Sequence, residues 1–270
     1  MTEDLDQLTA AISQSAKYRY VCEDLIRRIG LHELNRRCNL KAAIKETKNT
    51  LHQIAGAYLE STPPYAKWRE TISGTERGSE QWGNMLRGMM LHHSSTRERL
   101  PYLEAFYKTI LADVQPVRSV LDLACGLNPL AMRWMPLAAG CTYYAYDVYT
   151  DMMAFLNEFA AGTYPGACAD ACDISVSVPQ HSVHVAYVLK FLPLLKGQSA
   201  GETLLWLRKI RAEYLVVSFP TRTLGGRNVH MSANYEAWFR DVIHEMNWEL
   251  QTFSFPTELC FLIETGFRCA

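Results

Sequence analysis

After about residue 113 the chain stops reading as helices alone and begins to alternate. Short apolar runs at Val120–Leu123, Thr142–Tyr146, Ala167–Ala171, Val183–Leu189 and Tyr214–Phe219 are separated, early on, by helically spaced stretches such as 151–161 and 198–210. Strands separated by a helix are best joined as parallel neighbours, because such a crossover returns the chain to the same end of a sheet. Two last runs, Leu250–Phe255 and Leu259–Ile263, flank Pro256-Thr257 and suit an antiparallel hairpin. The expected fold class is α/β: a doubly wound, Rossmann-like sheet of seven strands with its last strand reversed, over residues 113–270.

Residues 1–112 read as a separate helical domain. Val21, Leu25, Ile26 and Ile29 follow a helical period that is expected to stop at Gly30. Leu40, Ile44, Leu51, Ile54 and Tyr58 predict a second helix, ended before Pro63-Pro64. Residues 61–80 mix loop signals with a short segment around Trp68, and helix resumes near Gln81. Ser95-x-x-Glu98 fits a capping box, predicting a helix that runs on through Leu103, Phe106, Tyr107, Ile110 and Leu111.

No apolar run in the 270 residues approaches the roughly 18 needed to span a membrane. The opening MTEDLDQLTA lacks the basic-then-apolar order of a signal peptide, so a cytoplasmic protein is expected. The eight cysteines form no CxxC pair; Cys168 and Cys172 lack a second pair or a nearby histidine to complete a zinc pattern. Reduced, mostly buried thiols and no metal are expected. A net charge of −1 does not suggest nucleic acid, yet residues 17–52 hold nine basic and four acidic residues. Lys41, Lys45 and Lys48 share one helix face. On charge alone, a phosphate-binding face and a solvated surface fit equally well.

In doubly wound folds ligands bind beyond the carboxyl ends of the strands. RSVLDLACGLNPLA (118–131) has the form of a first strand and cofactor loop, with Asn128-Pro129 as a helix start. Ala124 and Gly126 let the backbone approach a ligand closely; an ordinary strand-to-helix turn fits the stretch as well. Asp147, after the second run, can accept hydrogen bonds from both ribose hydroxyls. Asp173 and Ile174, after the third, can take a purine's exocyclic amine and flank its ring. Each aspartate alone fits a helix cap. Their order favours S-adenosylmethionine (SAM), and the missing GxGxxG disfavours NAD.

Longer motifs carry a resemblance. DLACGLNPLA, VLKFLPLLKGQSAG (188–201), VVSFPTRTLGGRNVHMSANYEAWF (216–239), LHHSSTRERL (91–100) and LHQIAGAYL (51–59) resemble the aminoglycoside-resistance 16S rRNA methyltransferases that modify N7 of guanine-1405. The likeness covers most of the chain and is weakest at 1–16 and 60–85. It implies that His93, Ser94, Ser95 and Arg99 reach the methionine end of SAM, and that Leu189 and Gln198 lie beside the cofactor. An arginine fork suits the SAM carboxylate. Lys190 is a possible electrostatic contributor, or else a member of a structural ion pair.

The same resemblance implies a target in the assembled 30S subunit, with the helical domain docking on 16S rRNA through Arg27, Arg28, Arg36, Arg37, Lys41, Lys45 and Lys48. Such phosphate contacts position an enzyme without reading sequence. Guanine N7 carries a free lone pair, so no catalytic base is required; positioning and electrostatics carry the transfer. The target base is expected to flip out or distort locally, since N7 lies in a deep, narrow groove. Arg222 and Arg227, in SFPTRTLGGR, are expected to form the target-side wall, a structural loop being the alternative. A monomer is expected. The competing functions are a methyltransferase for N1 of adenine-1408 and a non-catalytic RNA-binding relative.

Overall fold

The structure, a computed structural model, describes residues 2–37, 39–59, 61–195, 199–221, 231–246 and 248–269; the side chains at 231 and 232 are not described. Helices come first: α1 (Thr2–Ser13), α2 (Glu23–Arg36), α3 (Leu40–Leu51), a π-helical turn at His52–Gly56, α4 (Tyr65–Ser73), α5 (Glu80–Met90), α6 (Ser94–Arg99) and α7 (Leu103–Ile110). The sheet follows, with β1 (Val117–Leu123), β2 (Leu137–Asp147), α8 (Thr150–Thr163), β3 (Ala167–Ala171), β4 (Val183–Leu189), α9 (Ala200–Leu207), β5 (Ala212–Pro220), α10 (Met231–Ile243), β6 (Glu249–Ser254) and β7 (Glu258–Glu264).

The seven strands lie in the order β3-β2-β1-β4-β5-β7-β6, parallel except that β7 runs antiparallel to both neighbours. All seven predicted runs are strands. The register pairs Leu121 with Tyr144 on one side and Ala186 on the other. Every residue of β4 is buried, as expected of a central parallel strand covered on both faces. One face of the sheet joins the helical region in a single apolar cluster running from Leu8 through Phe106 and Tyr143 to Cys260. The other face packs on α9 and α10 through Leu123, Val188, Trp206, Phe219 and Phe239.

Local signals in four places give way to tertiary demands. Helix α2 does not stop at Gly30 but runs through it. A Cβ there would come within 2.5 Å of Leu8 Cδ2, so this glycine permits close packing of α1 on α2. Ser95 caps nothing: α6 begins at Ser94 with His93 as its N-cap, and no side-chain cap is made. Instead Ser94 N donates to Tyr58 O at 2.9 Å, within a short bridge between Leu59 and His93. The long helix expected after Ser95 breaks around Pro101 into α6, a 3-10 turn (Leu100–Tyr102) and α7. Asn128-Pro129 opens a 3-10 turn (Asn128–Trp134), not an α-helix, because both ends of the Asn128 amide are engaged below the loop.

None of the seven described cysteines is in a disulfide; Cys22, Cys125 and Cys260 are buried and Cys168 is exposed, while Cys38 lies outside the described residues. Among the described residues no helix is long and apolar enough to cross a membrane, and no histidine, cysteine and carboxylate cluster could hold a metal.

Candidate active site

Strands β1, β2 and β4 end at Leu123, Asp147 and Leu189 along one edge of the sheet. The chain moves outward from β1 to β2 on one side, and β4 lies on the other, so the connections diverge there and leave a crevice. A cleft enclosing about 560 Å³, its solvent-open mouth included, occupies it. Four of the cofactor-site candidates, Ala124, Asp147, Ile174 and Leu189, line it. So do Val148, Tyr149, Lys190, Phe191 and Leu194 from the same strand ends. The remaining wall comes from the helical region: Ile54, Ala55 and Tyr58, together with His93 and Ser95.

The β1 loop meets the cavity in an unusual backbone form. Ala124 has φ +55° and Gly126 φ +52°, both left-handed. For Ala124 this is a conformation that costs a side-chain-bearing residue roughly 1–2 kcal/mol. At Gly126 a side chain would force a shift, since a Cβ would lie 2.6 Å from Cε1 of the His93 ring. The Gly126 amide donates to Asp147 Oδ2 at 2.9 Å, and Val148 N donates to Oδ1 at 2.7 Å. Burial pushes the Asp147 carboxyl up, against these N–H donors, which pull it down.

A buried polar network holds this glycine-poor loop from below. Asp122 Oδ2 accepts from Tyr143 OH at 2.6 Å and from Asn128 Nδ2 at 2.8 Å. Asn128 Oδ1 in turn accepts from Tyr107 OH at 2.5 Å and from Arg99 Nη1 at 3.1 Å. The opposite edge of Arg99 grips Glu258, with Nε and Nη2 each 2.9 Å from a carboxylate oxygen. Glu258 also accepts from Ser218 Oγ at 2.9 Å and lies 3.5 Å from Lys190 Nζ, which pairs with Glu98 at 2.5 Å. Burial opposes the charge on Glu258, but Arg99 and Lys190 outweigh it and hold the carboxyl below its ordinary range.

Arg99 therefore sits where sequence alone does not place it. It is 1% exposed, bound to Glu258, and absent from the cavity lining, where Lys190 is the cation. Lys190 also has a left-handed backbone, φ +58°, fixed by donation of its amide to Ser218 O at 3.0 Å. Ser94 packs on the Tyr58 carbonyl behind the wall. Asp173 lies just behind Ile174 and pairs with Arg28.

His93 closes the helical side. It is 7% exposed and stacks on Tyr58 with centroids 5.8 Å apart and planes 15° from parallel. Its Nδ1 has no hydrogen-bond partner among the described residues. Burial, reinforced by the positive charges of Arg99, Lys190 and Arg97, pushes it down to about 3, so the ring is neutral at pH 7.

Gln198, Arg222 and Arg227 lie outside the described residues. The seven basic candidates of the helical region divide. Arg27 pairs with Asp6, Arg28 with Asp173 and Arg37 with Glu33. Arg36, Lys41, Lys45 and Lys48 form no ion pair among the described residues; Arg36 contacts His32 at 3.2 Å, Lys41 and Lys45 are exposed, and Lys48 is half-buried.

Sequence alone does not mark the wall formed by Ile54, Ala55 and Tyr58. Its signal was the LHQIAGAYL stretch, whose helical spacing looks like a core face. The π-turn at His52–Gly56 is a local departure from that spacing, of a kind frequent at functional sites.

The site suits an elongated, nucleoside-containing cofactor. The lining combines the Asp147 carboxylate and apolar walls with Lys190, Ser95 and the buried His93 imidazole. A doubly wound sheet with an antiparallel β7 and this crevice defines the SAM-dependent methyltransferase class.

Within that class, the family described as ribosomal RNA methyltransferase (FmrO) matches residues 14–262, and the chain belongs to that family. It is 36% identical over 265 residues to a 16S rRNA (guanine(1405)-N(7))-methyltransferase of Frankia casuarinae, covering 96% of this chain and 93% of that one. A protein of the same description from Serratia marcescens is 34% identical over 262 residues, covering 96% and 97%. Among solved structures, the 16S rRNA methyltransferase RmtF in complex with S-adenosyl-L-homocysteine superposes with a TM-score of 0.85 at 31% identity, covering 98% of this chain and 99% of that one. An rRNA methylase from Escherichia coli gives 0.80 at 29%, covering 97% and 100%.

Proposed function

We infer that this protein methylates N7 of guanine-1405 in 16S rRNA, with SAM as methyl donor and the assembled 30S subunit as substrate. The observation that carries the reading is the shared cavity, built half from strand ends and half from the helical region. Such a cavity joins cofactor binding to the part of the chain that carries the basic surface. The related proteins are named for this reaction.

Asp147 would hold the ribose, and Asp173 and Ile174 the purine. The backbone at Ala124 and Gly126 would let the cofactor lie close, with Leu189 beside it. His93 and Ser95 would face the methionine end with Lys190 near its carboxylate, while Arg99 acts from behind through Glu258 and Asn128. When bound, SAM supplies an activated methyl group. Guanine N7 needs no proton removed, and the neutral His93 ring fits a site that works by positioning and not by base catalysis.

Arg36, Lys41, Lys45 and Lys48 would meet rRNA phosphates, and Arg222 and Arg227 would wall the target side. The working state is a cytoplasmic monomer. N7 methylation adds charge and bulk to the decoding site, which accounts for resistance to 4,6-disubstituted deoxystreptamine aminoglycosides such as gentamicin and kanamycin.

Calorimetric titration with SAM, paired with transfer of tritiated methyl groups to purified 30S subunits, tests the reading. Binding and transfer are expected together. Failure of both would leave a non-catalytic RNA-binding protein.

A further inference from the structure

Arg28 belongs to the basic stretch of the helical region; its side chain is 40% exposed, yet its guanidinium reaches the segment after β3. Its Nε lies 2.6 Å from Asp173 Oδ2, 145 residues away in the chain. The neighbouring Arg27 turns to Asp6 instead. Asp173 is 4% exposed and stands immediately before Ile174, which lines the cavity. Its other oxygen, Oδ1, accepts from Ser175 N at 3.1 Å and from Ser175 Oγ at 2.5 Å.

The approach of Arg28 is fixed by a seam just before α2. Cys22 N donates to Val148 O at 2.8 Å, Thr150 N donates to Tyr20 O at 2.7 Å, and Val21 bridges Tyr149. These contacts tie the start of α2 to the backbone directly after Asp147. An ionised carboxylate offers about four lone-pair positions. Ser175 takes two and Arg28 one, which leaves a position on Oδ2 for one further donor.

We propose that Arg28 is a positioning residue of the cofactor site: it orients Asp173 so that the remaining lone pair meets an exocyclic amine, making the site selective for a 6-aminopurine over a 6-oxopurine. The proposal rests on the assignment of Asp173 to the purine end made above. A 6-oxopurine presents an acceptor at the same place, and two facing acceptors repel. A carboxylate held from three sides cannot turn away from that conflict. Released from Arg28, it can rotate and tolerate either ring. Arg28 thereby serves the cofactor site.

The test compares S-adenosylhomocysteine with its deaminated analogue, S-inosylhomocysteine, by calorimetry on the full chain. Wild type is expected to favour the adenosyl compound by about 30-fold or more, as sites that leave a polar group unpaired reject the wrong partner strongly. In Arg28→Ala that ratio is expected to fall at least about 5-fold, with part of it recovered in Arg28→Lys. A general loosening of the fold weakens both ligands alike and leaves the ratio unchanged, which would overturn the proposal. Arg28→Gln provides the same reading should the alanine variant not fold. If wild type does not discriminate, the contact between Asp173 and the amine is itself wrong and the role of Arg28 falls with it. If wild type discriminates but the Arg28 variants keep the full ratio and lose only 30S binding, Arg28 is an rRNA contact and the proposal alone is overturned.

Discussion

Arg99 and Glu258 are joined by a two-point ion pair that ties α6 to the start of β7, with the side chains 1% and 0% exposed. The pair holds both ends of the site in place. Through Asn128 it reaches the β1 loop, and through Ser218 and Lys190 it reaches the end of β4. Removing one partner of a buried pair leaves an uncompensated charge. Glu258→Gln, which leaves the buried Arg99 without its carboxylate while Lys190 keeps Glu98, is expected to cost roughly 3–5 kcal/mol of folding stability in urea titrations. A cost below about 1 kcal/mol would mean that the network contributes little.

His93 sets an acid sensitivity. Its folded value, about 3, lies below the ordinary 6.5, because burial and nearby cations oppose the charged ring. A group of this kind binds protons more readily unfolded than folded. Its neutral form is fully compatible with the fold above pH 6.5, and stability is lost as pH falls from there toward 3. Unfolding of the cofactor-free protein between pH 6 and 4 should show this loss. His93→Asn is expected to flatten the slope by up to about 1.4 kcal/mol per pH unit. An unchanged slope would place the proton uptake elsewhere.

The two left-handed residues of the β1 loop predict opposite responses. Gly126→Ala adds a Cβ against the His93 ring at a φ of +52°. It should lower the melting temperature and weaken SAM at least about 10-fold, since both strain and a clash must be relieved. Ala124→Gly removes strain at φ +55° and should leave the melting temperature unchanged or higher. Calorimetry and thermal melts on the two variants check the pair; a stable, tight-binding Gly126→Ala would sink the argument.

Docking should depend on the unpaired basic residues. Reversing Lys41 and Lys45 to Glu together is expected to weaken 30S binding by about 10-fold or more at moderate salt. The slope of log affinity against log salt should fall by about one for each phosphate no longer neutralised. Affinity for SAM should not move. An equal drop in SAM affinity would indicate damage to the fold and not to the rRNA surface.

The sheet was legible because its signal is local. Seven apolar runs, interrupted by helical spacing, leave few topologies, and Pro256-Thr257 marks the final hairpin. The acids at the strand ends were legible for the same reason, since Asp147 and Asp173 each close a strand-like run. What escaped were features set by partners distant in sequence. Gly30 reads as a stop until Leu8 is seen against it. Ser95-x-x-Glu98 reads as a capping box until Tyr58 takes the helix start and Lys190 takes Glu98. Arg99 reads as a free fork until Glu258, 159 residues away, occupies it. The helical wall of the cavity was hidden because a π-turn changes which residues of an apparently regular helix face the site.

The central claim is the base that is modified. Mass spectrometry of 16S rRNA from bacteria expressing the protein should find 7-methylguanine at position 1405 and no new methyl group on adenine-1408. Cells carrying an Asp147→Ala variant should lack the mark. An unmodified guanine-1405 in cells that contain folded, SAM-binding protein would contradict the account.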